Sequence, residues 1–461
     1  MSVPPGAITG HVPGGFTVRS GETRRIFGLV TTDRNVIVEG RLEMRAGDTL
    51  RFVDVDESRF VGEGMDPLPS DVGLWVMGAG VLDAQGTEKE PWNRSGDAPS
   101  WSDADELVIA PTAVGATEFA PFTRGAEVPR AHPSVPPAEV LNLTRDCTIE
   151  GTPGHRSHVF IRSTSPQVIR HVSLLHLGPR KDDLKVAGRW PLHFHHNMHS
   201  QHGVVVEGVV VRKGGSHAFV AHNSNGITFR RCIAYDVQED AYWWDPDTIE
   251  SKDATPVNFT DDTTYDRCVA AAVKIGDEGD GLRLCGFNLG KGLQPGSNRC
   301  VGCVGVGVLG GSNCAGFGWQ EHNQGAPWLF EDNVSHNNAA HGLFTWQNLG
   351  PAIHTMLGFV SYRNRDAGVA VGAYEGAWQF RNPLLVENGS SGVLQHARSM
   401  DPTYRARYDR PVVIGSPVAF REGDVNFPDQ LPAIVTGAEV SECPVLVDES
   451  TEATPSFEFV E

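Results

Sequence analysis

A repeated pattern of short apolar segments and turn residues is the feature that most restricts the fold of this chain. In each unit, a short apolar segment is followed by Asn, Gly or Asp and then by a second apolar segment that opens with Gly or Ala. Neighbouring units start roughly 22–28 residues apart. The clearest units begin at Ile227, Cys300, Trp328, Met356 and Trp378. Repeats of this length indicate stacked units that bury a continuous core only together.

The repeat predicts the coils of a parallel β-helix. The apolar segments are 4–8 residues long and bounded by turn residues, as strands are. Asn and Gly supply the tight or left-handed turns between them. A β-sandwich with irregular hairpins is the alternative, and the constant order of strand, turn and strand disfavours it. The predicted fold class is therefore all-β, a right-handed parallel β-helix preceded by a small β-rich domain.

Composition divides the chain into four predicted parts. Residues 1–25 are rich in Pro and Gly and are predicted to form a tail. Residues 26–136 are predicted to form the small β domain, with a long Pro-rich and acidic loop from residue 85. Residues 137–400 contain the repeats of the β-helix, and residues 401–461 leave their register. This last part is predicted to cap the open strand edges of the helix.

The charge balance excludes some partners. The net charge is −19, from 38 basic and 57 acidic residues. This charge argues against nucleic acid, which needs a positive binding surface, and against an anionic membrane surface. No apolar segment approaches the ~20 residues of a membrane span, and no signal-peptide pattern opens the sequence. The residues alone therefore predict either a cytoplasmic protein or one whose leader has been removed from this chain. These features do not predict the oligomeric state.

The cysteines predict neither a disulfide scaffold nor a zinc ribbon. Eight cysteines in 461 residues are too few for a disulfide framework. Cys300 and Cys303 form a CxxC pair, but no second pair follows at the spacing of a zinc ribbon. Their apolar surroundings instead favour buried thiols.

Histidine is concentrated in one part of the chain, with 11 of the 18 residues between His155 and His222. In a strand, His193 and His195 point to the same face, and two imidazoles at this spacing can hold one metal ion. The next coil brings His222 and the preceding region His158, at the ~5 Å spacing of stacked strands. These four residues are the predicted metal ligands, for a divalent transition metal such as Zn, Cu or Fe, with Ca²⁺ as an alternative. The opposing interpretation is that they are ordinary solvated or hydrogen-bonded side chains.

Carboxylates and basic residues near the histidines are candidates for chemistry. Asp240 and Asp245 are predicted catalytic residues, because glycoside cleavage uses two carboxylates ~5–10 Å apart. Arg189 is predicted to neutralise a substrate carboxylate.

The predicted substrate-binding residues are basic or aromatic. Arg212 and Lys213 offer further positive charge, and Trp190 and Trp244 offer rings that stack on sugars. For most of the tryptophans in the repeats, the alternative is a ladder of stacked rings in the core.

Several motifs, in order along the chain, resemble a known family. They are GLWVMGAGVLDAQGTEKEPWNR, AEVLNLTRDCTIEG, GHRSHVFI, GRWPLHFHHNM and HAFVAHNSNGITFRRCIAYDVQEDAYWW. They resemble the eight-glycine-domain and right-handed β-helix family of transmembrane protein 2 and the cell-migration-inducing hyaluronidase, with fibrocystin-like relatives further off. The resemblance covers roughly residues 35–270. The family's Tyr-Pro-Ile-His-Phe-His motif matches residues 190–195, and its histidine in the following coil matches His222.

The resemblance implies an eight-glycine-type domain at residues 26–136 that packs on a β-helix. It also implies a secreted or extracellular enzyme that uses a divalent metal and acts on hyaluronan or a related polysaccharide. The chain is much shorter than the family's ectodomains. It also has Asp245 and Pro246 where the family has a Glu-Asp pair.

Three functional hypotheses follow. The first is a metal-dependent, hyaluronidase-like enzyme that degrades a polysaccharide by hydrolysis or elimination. The second is a histidine-ligated Cu or Fe oxidoreductase that acts on a small molecule. The third is a non-catalytic glycan-binding β-helix. The identity of the metal separates the first two, and loss of turnover on removal of His193 and His195 separates both from the third.

Overall fold

The chain folds as a right-handed parallel β-helix, and the predicted all-β class is confirmed. Two 3-10 turns, Glu57–Arg59 and Pro402–Tyr404, are the helical segments of the described part of the chain. Neither has the length or the apolar composition of a membrane span. The computed structural model describes residues 3–4, 6–245, 260–275, 284–289, 298–319, 328–345, 353–372, 378–396, 401–423, 431–449 and 455–461, with the backbone alone for Trp244 and Asp245.

Each coil contributes one strand in turn to sheets B, C and A, and all three sheets are parallel. Sheet B carries the candidate site. Its strands are β2 (Phe16–Val18), β4 (Val36–Val38), β7 (Leu74–Gly78), β14 (Val159–Ser163), β19 (Leu192–Met198), β22 (Phe219–Ser224), β25 (Tyr242–Asp245), β28 (Cys285–Asn288), β31 (Ala315–Trp319), β34 (His341–Thr345), β37 (Ala367–Val371), β40 (Ser391–Gln395), β43 (Val418–Glu422) and β46 (Val445–Asp448).

Sheets A and C complete the coils and share the long strand β3. Sheet A contains β1 (Ile8–His11), β3 (Thr23–Thr32), β6 (Thr49–Phe52), β13 (Cys147–Glu150), β16 (Val172–Leu175), β21 (Val210–Arg212), β24 (Ile233–Gln238), β27 (Val269–Lys274), β30 (Val304–Val306), β33 (Val334–His336), β36 (Val360–Tyr362), β39 (Leu384–Val386), β42 (Val412–Ile414) and β45 (Glu439–Ser441). Sheet C adds β5 (Arg41–Arg45), β8 (Val81–Gln85), β15 (Val168–Arg170), β20 (Val205–Glu207), β23 (Thr228–Arg230), β26 (Thr264–Asp266), β29 (Arg299–Val301), β32 (Leu329–Glu331), β35 (His354–Leu357), β38 (Trp378–Arg381), β41 (Arg407–Asp409), β44 (Ala433–Thr436) and β47 (Phe457–Val460).

Like residues stack inside the helix because parallel strands place equivalent positions ~4.8 Å apart. The rings of Phe219, Tyr242, Phe287 and Phe317 form one stack, with successive centroids 4.9, 4.4 and 4.9 Å apart and interplanar angles of 12° or less. Trp319 and Trp378 are also fully buried in the core, but their rings meet edge-on, at 5.4 Å and 63°, and do not stack.

Buried thiols also occupy equivalent positions of successive coils, at the turn that leads into sheet A. Cys232, Cys268 and Cys303 precede successive strands of this sheet and are fully buried and reduced. The amide of Cys268 donates to Cys303 Sγ at 3.3 Å. The CxxC pair therefore consists of core thiols, as its apolar surroundings predict.

Parallel pairing is continuous across the predicted domain boundaries at residues 136 and 400. Strands β6 and β7 pair with β13 and β14, which joins the first coils to those after residue 136. Strands β38, β39 and β40 pair with β41, β42 and β43, which lie beyond residue 400. The sequence pattern misses the first coils because a long insertion, residues 86–146, separates them from the others. The division of the chain into domains stays a prediction.

This insertion contains a small antiparallel sheet, where the sequence predicted a long loop up to residue 136. Its strands are β9 (Trp92–Asn93), β10 (Leu107–Ile109), β11 (Ala120–Pro121) and β12 (Val140–Asn142). They are too short to show an alternating pattern. Trp92, Val108 and Leu141 nevertheless pack on apolar side chains of the outer face of sheet A. This cover gives sheet A an outer layer.

A buried ion-pair network holds the cover on the β-helix. Glu139, fully buried, accepts hydrogen bonds from Arg94 Nε and Nη2 at 2.9 and 2.8 Å, and its other oxygen lies 2.9 Å from Nε2 of His336. The His336 ring stacks on Tyr362 at 4.4 Å. Burial opposes ionisation of Glu139, but the charges of Arg94 and His336 outweigh it and lower the pKa of Glu139 to about 2.

Candidate metal centre and adjoining cleft

Three histidines meet on the outer face of sheet B because of the strand periodicity and the coil register. In β19, Leu192 and Phe194 point into the core, so the alternating His193 and His195 point outwards. His195 is opposite His222 of β22 in the parallel register. The predicted pairing of the His-Phe-His segment with His222 is therefore present in the structure.

The geometry of these three residues, here called the histidine cluster, suits one metal ion. Each of His193, His195 and His222 offers a ring nitrogen, and these nitrogens lie within 4.8 Å of one another. His195 Nδ1 is 3.2 Å from His193 Nε2. The rings of His193 and His222 are stacked at 5.8 Å, and those of His195 and His222 meet edge-on at 4.6 Å.

A hydrogen bond fixes the tautomer of His193. Its Nδ1 lies 2.9 Å from the carbonyl oxygen of Gly188. A carbonyl only accepts, so Nδ1 carries the hydrogen and Nε2 presents its lone pair to the cluster. Gly188 has a φ of +75°, which a residue with a side chain rarely adopts. The left-handed turn thus orients the ligand, as second-shell carbonyls do at metal sites.

Burial keeps the cluster in the form that binds metals. Burial, followed by the nearby His222 and the charge of Arg189, lowers the pKa of His193 well below its usual range. The pKa of His195 is lowered by burial and then by His193 and His222. His195 Nε2 is buried and has no hydrogen-bond partner among the described residues. Two imidazoles are thus neutral at pH 7, with an orphan nitrogen that a metal ion would satisfy.

Arg189 lies beneath the cluster rather than in a substrate cleft. Its fully buried guanidinium donates to Asp71 Oδ2 at 2.8 Å and to the Glu63 carbonyl at 2.6 Å. It also lies over the rings of Trp75 and Phe160, at 4.6 and 5.6 Å. The sequence predicts that Arg189 faces a substrate carboxylate, but its donors are directed to Asp71 and to backbone oxygens of the chain.

His196 lies at the site but is not among the residues that the sequence predicts there. The register of β19 shifts between His195 and Met198, and His196 has a φ of +49° inside this bulge. Regular alternation would turn its side chain away from the cluster. The bulge instead brings the ring to 4.4 Å from His195 and 4.9 Å from His222. The only feature of the sequence that points to His196 is its position directly after His195. The alternation of inward and outward residues along a strand does not reveal a bulge.

His158 and Asp240 lie outside the cluster. His158 is fully buried with its ring edge-on to Trp75 at 4.8 Å, and burial lowers its pKa well below the usual value. The carboxylate of Asp240 accepts from the Cys285 amide at 2.6 Å and from Asn288 Nδ2 at 2.9 Å. These hydrogen bonds tie two coils together in the interior, which is a structural role.

The predicted substrate-binding residues are divided between two faces. Trp190 is buried beside the cluster, with its ring 6.1 Å from that of His193. Arg212 ends a strand of sheet A and pairs with Glu106 of the cover, and Lys213 follows it. The structure therefore does not bring Arg212 and Lys213 to the cluster.

The last two predicted residues are described by their backbone alone. Trp244 and Asp245 pair with Ala221 and His222, so Asp245 is level with the cluster in the next coil. Their side chains lie outside the described part of the structure, and the catalytic role of Asp245 stays a prediction.

An open cleft of about 600 Å³ adjoins the cluster on the outer face of sheet B. It crosses β4, β7 and β14 and ends at the bulge of β19. His196, which touches two cluster residues, lines this end. The other lining residues are Ile37, Glu39, Asp66, Pro67, Met77, Gly78, Arg162, Ser163, Thr164, Asn197 and Ser200.

Comparison with known proteins finds solved structures that are similar to this chain at a low level only. No family model matches the sequence, and no curated protein sequence matches it. The chain is similar to the A-module of the mannuronan C-5 epimerase AlgE4 of Azotobacter vinelandii, with 11% identity, 98% of this chain and 89% of that chain covered, and a TM-score of 0.38.

Two further solved structures are similar at the same level. One is the catalytic domain of a GH87 alpha-1,3-glucanase in complex with tetrasaccharides, with 10% identity, coverage of 95% and 63%, and a TM-score of 0.45. The other is the periplasmic alginate epimerase AlgG, with 11% identity, coverage of 90% and 77%, and a TM-score of 0.32. At these identities and TM-scores, the similarity does not indicate the activity of this protein.

Proposed function

We propose that the protein is a metal-dependent enzyme that degrades a polysaccharide at the outer face of sheet B. The observation that carries the proposal is the convergence of three imidazole nitrogens within 4.8 Å, beside an open cleft. The long cleft across parallel strands suits an extended chain molecule. The hyaluronidase-like form of this activity, which the family resemblance implies, would require a cleft that attracts a polyanion.

The donor set fits a transition metal better than Ca²⁺. Ca²⁺ takes six to eight oxygen ligands, whereas neutral imidazole suits Zn, Cu and Fe. Three histidine ligands with an open fourth position are a known arrangement of catalytic zinc. His193, His195 and His222 would hold the ion, which would supply Lewis-acid polarisation of a substrate oxygen or activation of a water molecule.

Other residues near the cluster would orient the ligands, transfer protons and keep the ligands neutral. The Gly188 carbonyl holds His193 in its ligand tautomer. The neighbouring His196 ring lies between the cluster and the cleft, where an imidazole could transfer a proton to or from a bound sugar. The buried Arg189 disfavours protonation of His193 and His195, which keeps them available as ligands.

Metal analysis of the purified protein tests the proposal. We expect about one equivalent of a transition metal per chain in the wild type and its loss in the His193→Ala/His195→Ala variant, because two of three ligands are removed. Metal content is measured by inductively coupled plasma mass spectrometry after reconstitution, and turnover is followed by the release of sugar reducing ends.

The matched control is His199→Ala/His202→Ala, which removes two exposed histidines of the same region. This control should keep both metal and turnover. A His222→Ala variant provides a second test, since His222 is only half-buried and its replacement removes one ligand while every residue of β19 is kept. Wild-type protein that takes up no metal would contradict the proposal.

The identity of the metal decides between the two enzyme hypotheses. Zinc supports the hydrolytic or eliminative enzyme, whereas copper or iron supports the histidine-ligated oxidoreductase. Elimination at a uronate leaves an unsaturated product that absorbs in the ultraviolet, so an absorbance assay separates it from hydrolysis.

A further inference from the structure

The cleft beside the histidine cluster has the dimensions of a binding site for a short run of sugars. Ile37, Met77, Arg162 and His196 line it from four neighbouring strands of sheet B. Neighbouring strands lie about 4.8 Å apart, so the cleft extends about 14 Å along the helix axis before it meets the cluster. An extended chain that lies in it points one end towards His196 and His222.

The charges of the cleft do not suit an anionic chain. Its charged lining residues are Glu39, Asp66 and Arg162, which sum to one negative charge. Arg162 already has a carboxylate partner, because its Nη1 lies 3.7 Å from Asp66 Oδ1. Glu39 also lines the cleft, is exposed, and has no ion-pair partner among the described residues. The protein as a whole carries a net charge of −19, which adds to the repulsion of a polyanion.

Two basic residues that the sequence predicts to compensate a uronate lie elsewhere. Arg189 is buried in its ion pair with Asp71, and Arg212 is paired with Glu106 on sheet A. The cleft instead offers groups that hydrogen-bond to hydroxyls, namely carboxylate oxygens, the Arg162 guanidinium and the hydroxyl of Ser200. Met77 and Ile37 add apolar surface for the faces of sugar rings.

We infer that this cleft binds an uncharged polysaccharide and selects against uronate-containing chains such as hyaluronan. The inference rests on the proposed function, since it names the substrate class of the same site. It also predicts that the activity departs from the hyaluronan specificity that the family resemblance implies.

Isothermal titration calorimetry with defined hexasaccharides tests the inference. The neutral probes are hexasaccharides of β-1,4-glucan, β-1,3-glucan, β-1,4-mannan and β-1,4-xylan, and the uronate probes are those of hyaluronan, galacturonan and mannuronan. We expect at least one neutral probe to bind at least ten times more tightly than every uronate probe at low salt. Equal or tighter binding of a uronate probe, or no binding of any probe, would overturn the inference.

Variants assign the binding to the cleft and its charge. Glu39→Lys/Asp66→Asn should bring the affinity for uronate probes up by about tenfold or more, because it reverses the sign of the lining charge. Glu207→Lys/Asp409→Asn makes the same change of charge on strands of sheet C and should leave the affinities as in the wild type. An equal gain in both variants would show that net charge, and not the cleft, controls the preference.

The titrations are repeated with chelator-treated protein, so that the two proposals fail separately. Neutral-probe binding without any metal uptake would contradict the metal-dependent enzyme and leave the cleft assignment standing. Metal uptake with preferred uronate binding would contradict the cleft assignment alone.

Discussion

Replacement of Glu139 by alanine is expected to lower the free energy of unfolding by about 3–5 kcal/mol, because removal of one member of a buried ion pair leaves the other charge uncompensated. Arg94 and His336 would lose their common carboxylate between the cover and sheet A. Urea unfolding measures the change, followed by the fluorescence of Trp92 and Trp101, which lie in the cover.

The same residue gives a defined dependence on pH. The pKa of Glu139 is about 2 in the folded protein, against a reference value of 4.5. A lowered carboxylate pKa stabilises the fold fully above pH 4.5, and this contribution is lost as the pH falls towards 2. The difference corresponds to about 3 kcal/mol. The stability gap between the wild type and Glu139→Gln should therefore narrow as unfolding is measured from pH 6 down to pH 2.5.

Glu127→Ala is the matched control, since Glu127 is an exposed glutamate of the same insertion. Its effect should stay within about 0.5 kcal/mol at every pH, as for most surface substitutions. A Glu139→Ala variant as stable as this control would show that the network does not hold the cover in place.

Substitution of Phe287 by alanine should cost about 3–5 kcal/mol, from lost burial and from the cavity that remains. Phe287 is fully buried between Tyr242 and Phe317, at 4.4 and 4.9 Å. Two stacking contacts are lost with the ring, each worth about 0.5–1.5 kcal/mol beyond area burial. Thermal and urea unfolding followed by circular dichroism measure the loss.

Phe287→Leu keeps most of the apolar volume and should cost less than half as much. Because each coil contacts only its neighbours, hydrogen exchange should increase mainly in the strands beside β28. An increase that spreads evenly over the described strands, or an alanine variant within 0.5 kcal/mol of the wild type, would contradict the role of the ladder.

Local spacing was sufficient to predict the elements that repeat. The recurrent strand and turn pattern predicts the β-helix, and the His-Phe-His segment predicts that His193 and His195 share one face. The match of His222 to this pair also followed from the sequence, because equivalent positions of adjacent coils stack in register. Each of these inferences depends on neighbours along the chain or on the repeat itself.

The surroundings of other residues depend on contacts between segments that are far apart in the sequence, and no local pattern contains these contacts. Arg189 looks like an available cation in the sequence, yet Asp71, 118 residues earlier, buries it in an ion pair. The strands of the insertion are two or three residues long and form a sheet only because sheet A offers an apolar face for them.

For this protein, the sequence alone determined the architecture and the shared face of His193, His195 and His222, because both follow from periodicity. It also predicted His158 as a ligand, and His158 lies outside the cluster. The tertiary structure decided which charges reach the cleft, how the bulge turns His196 towards the cluster, and where the cover lies. Register shifts and pairings between distant segments are settled by packing free energy summed over many coils, which the order of residues within one coil does not reveal.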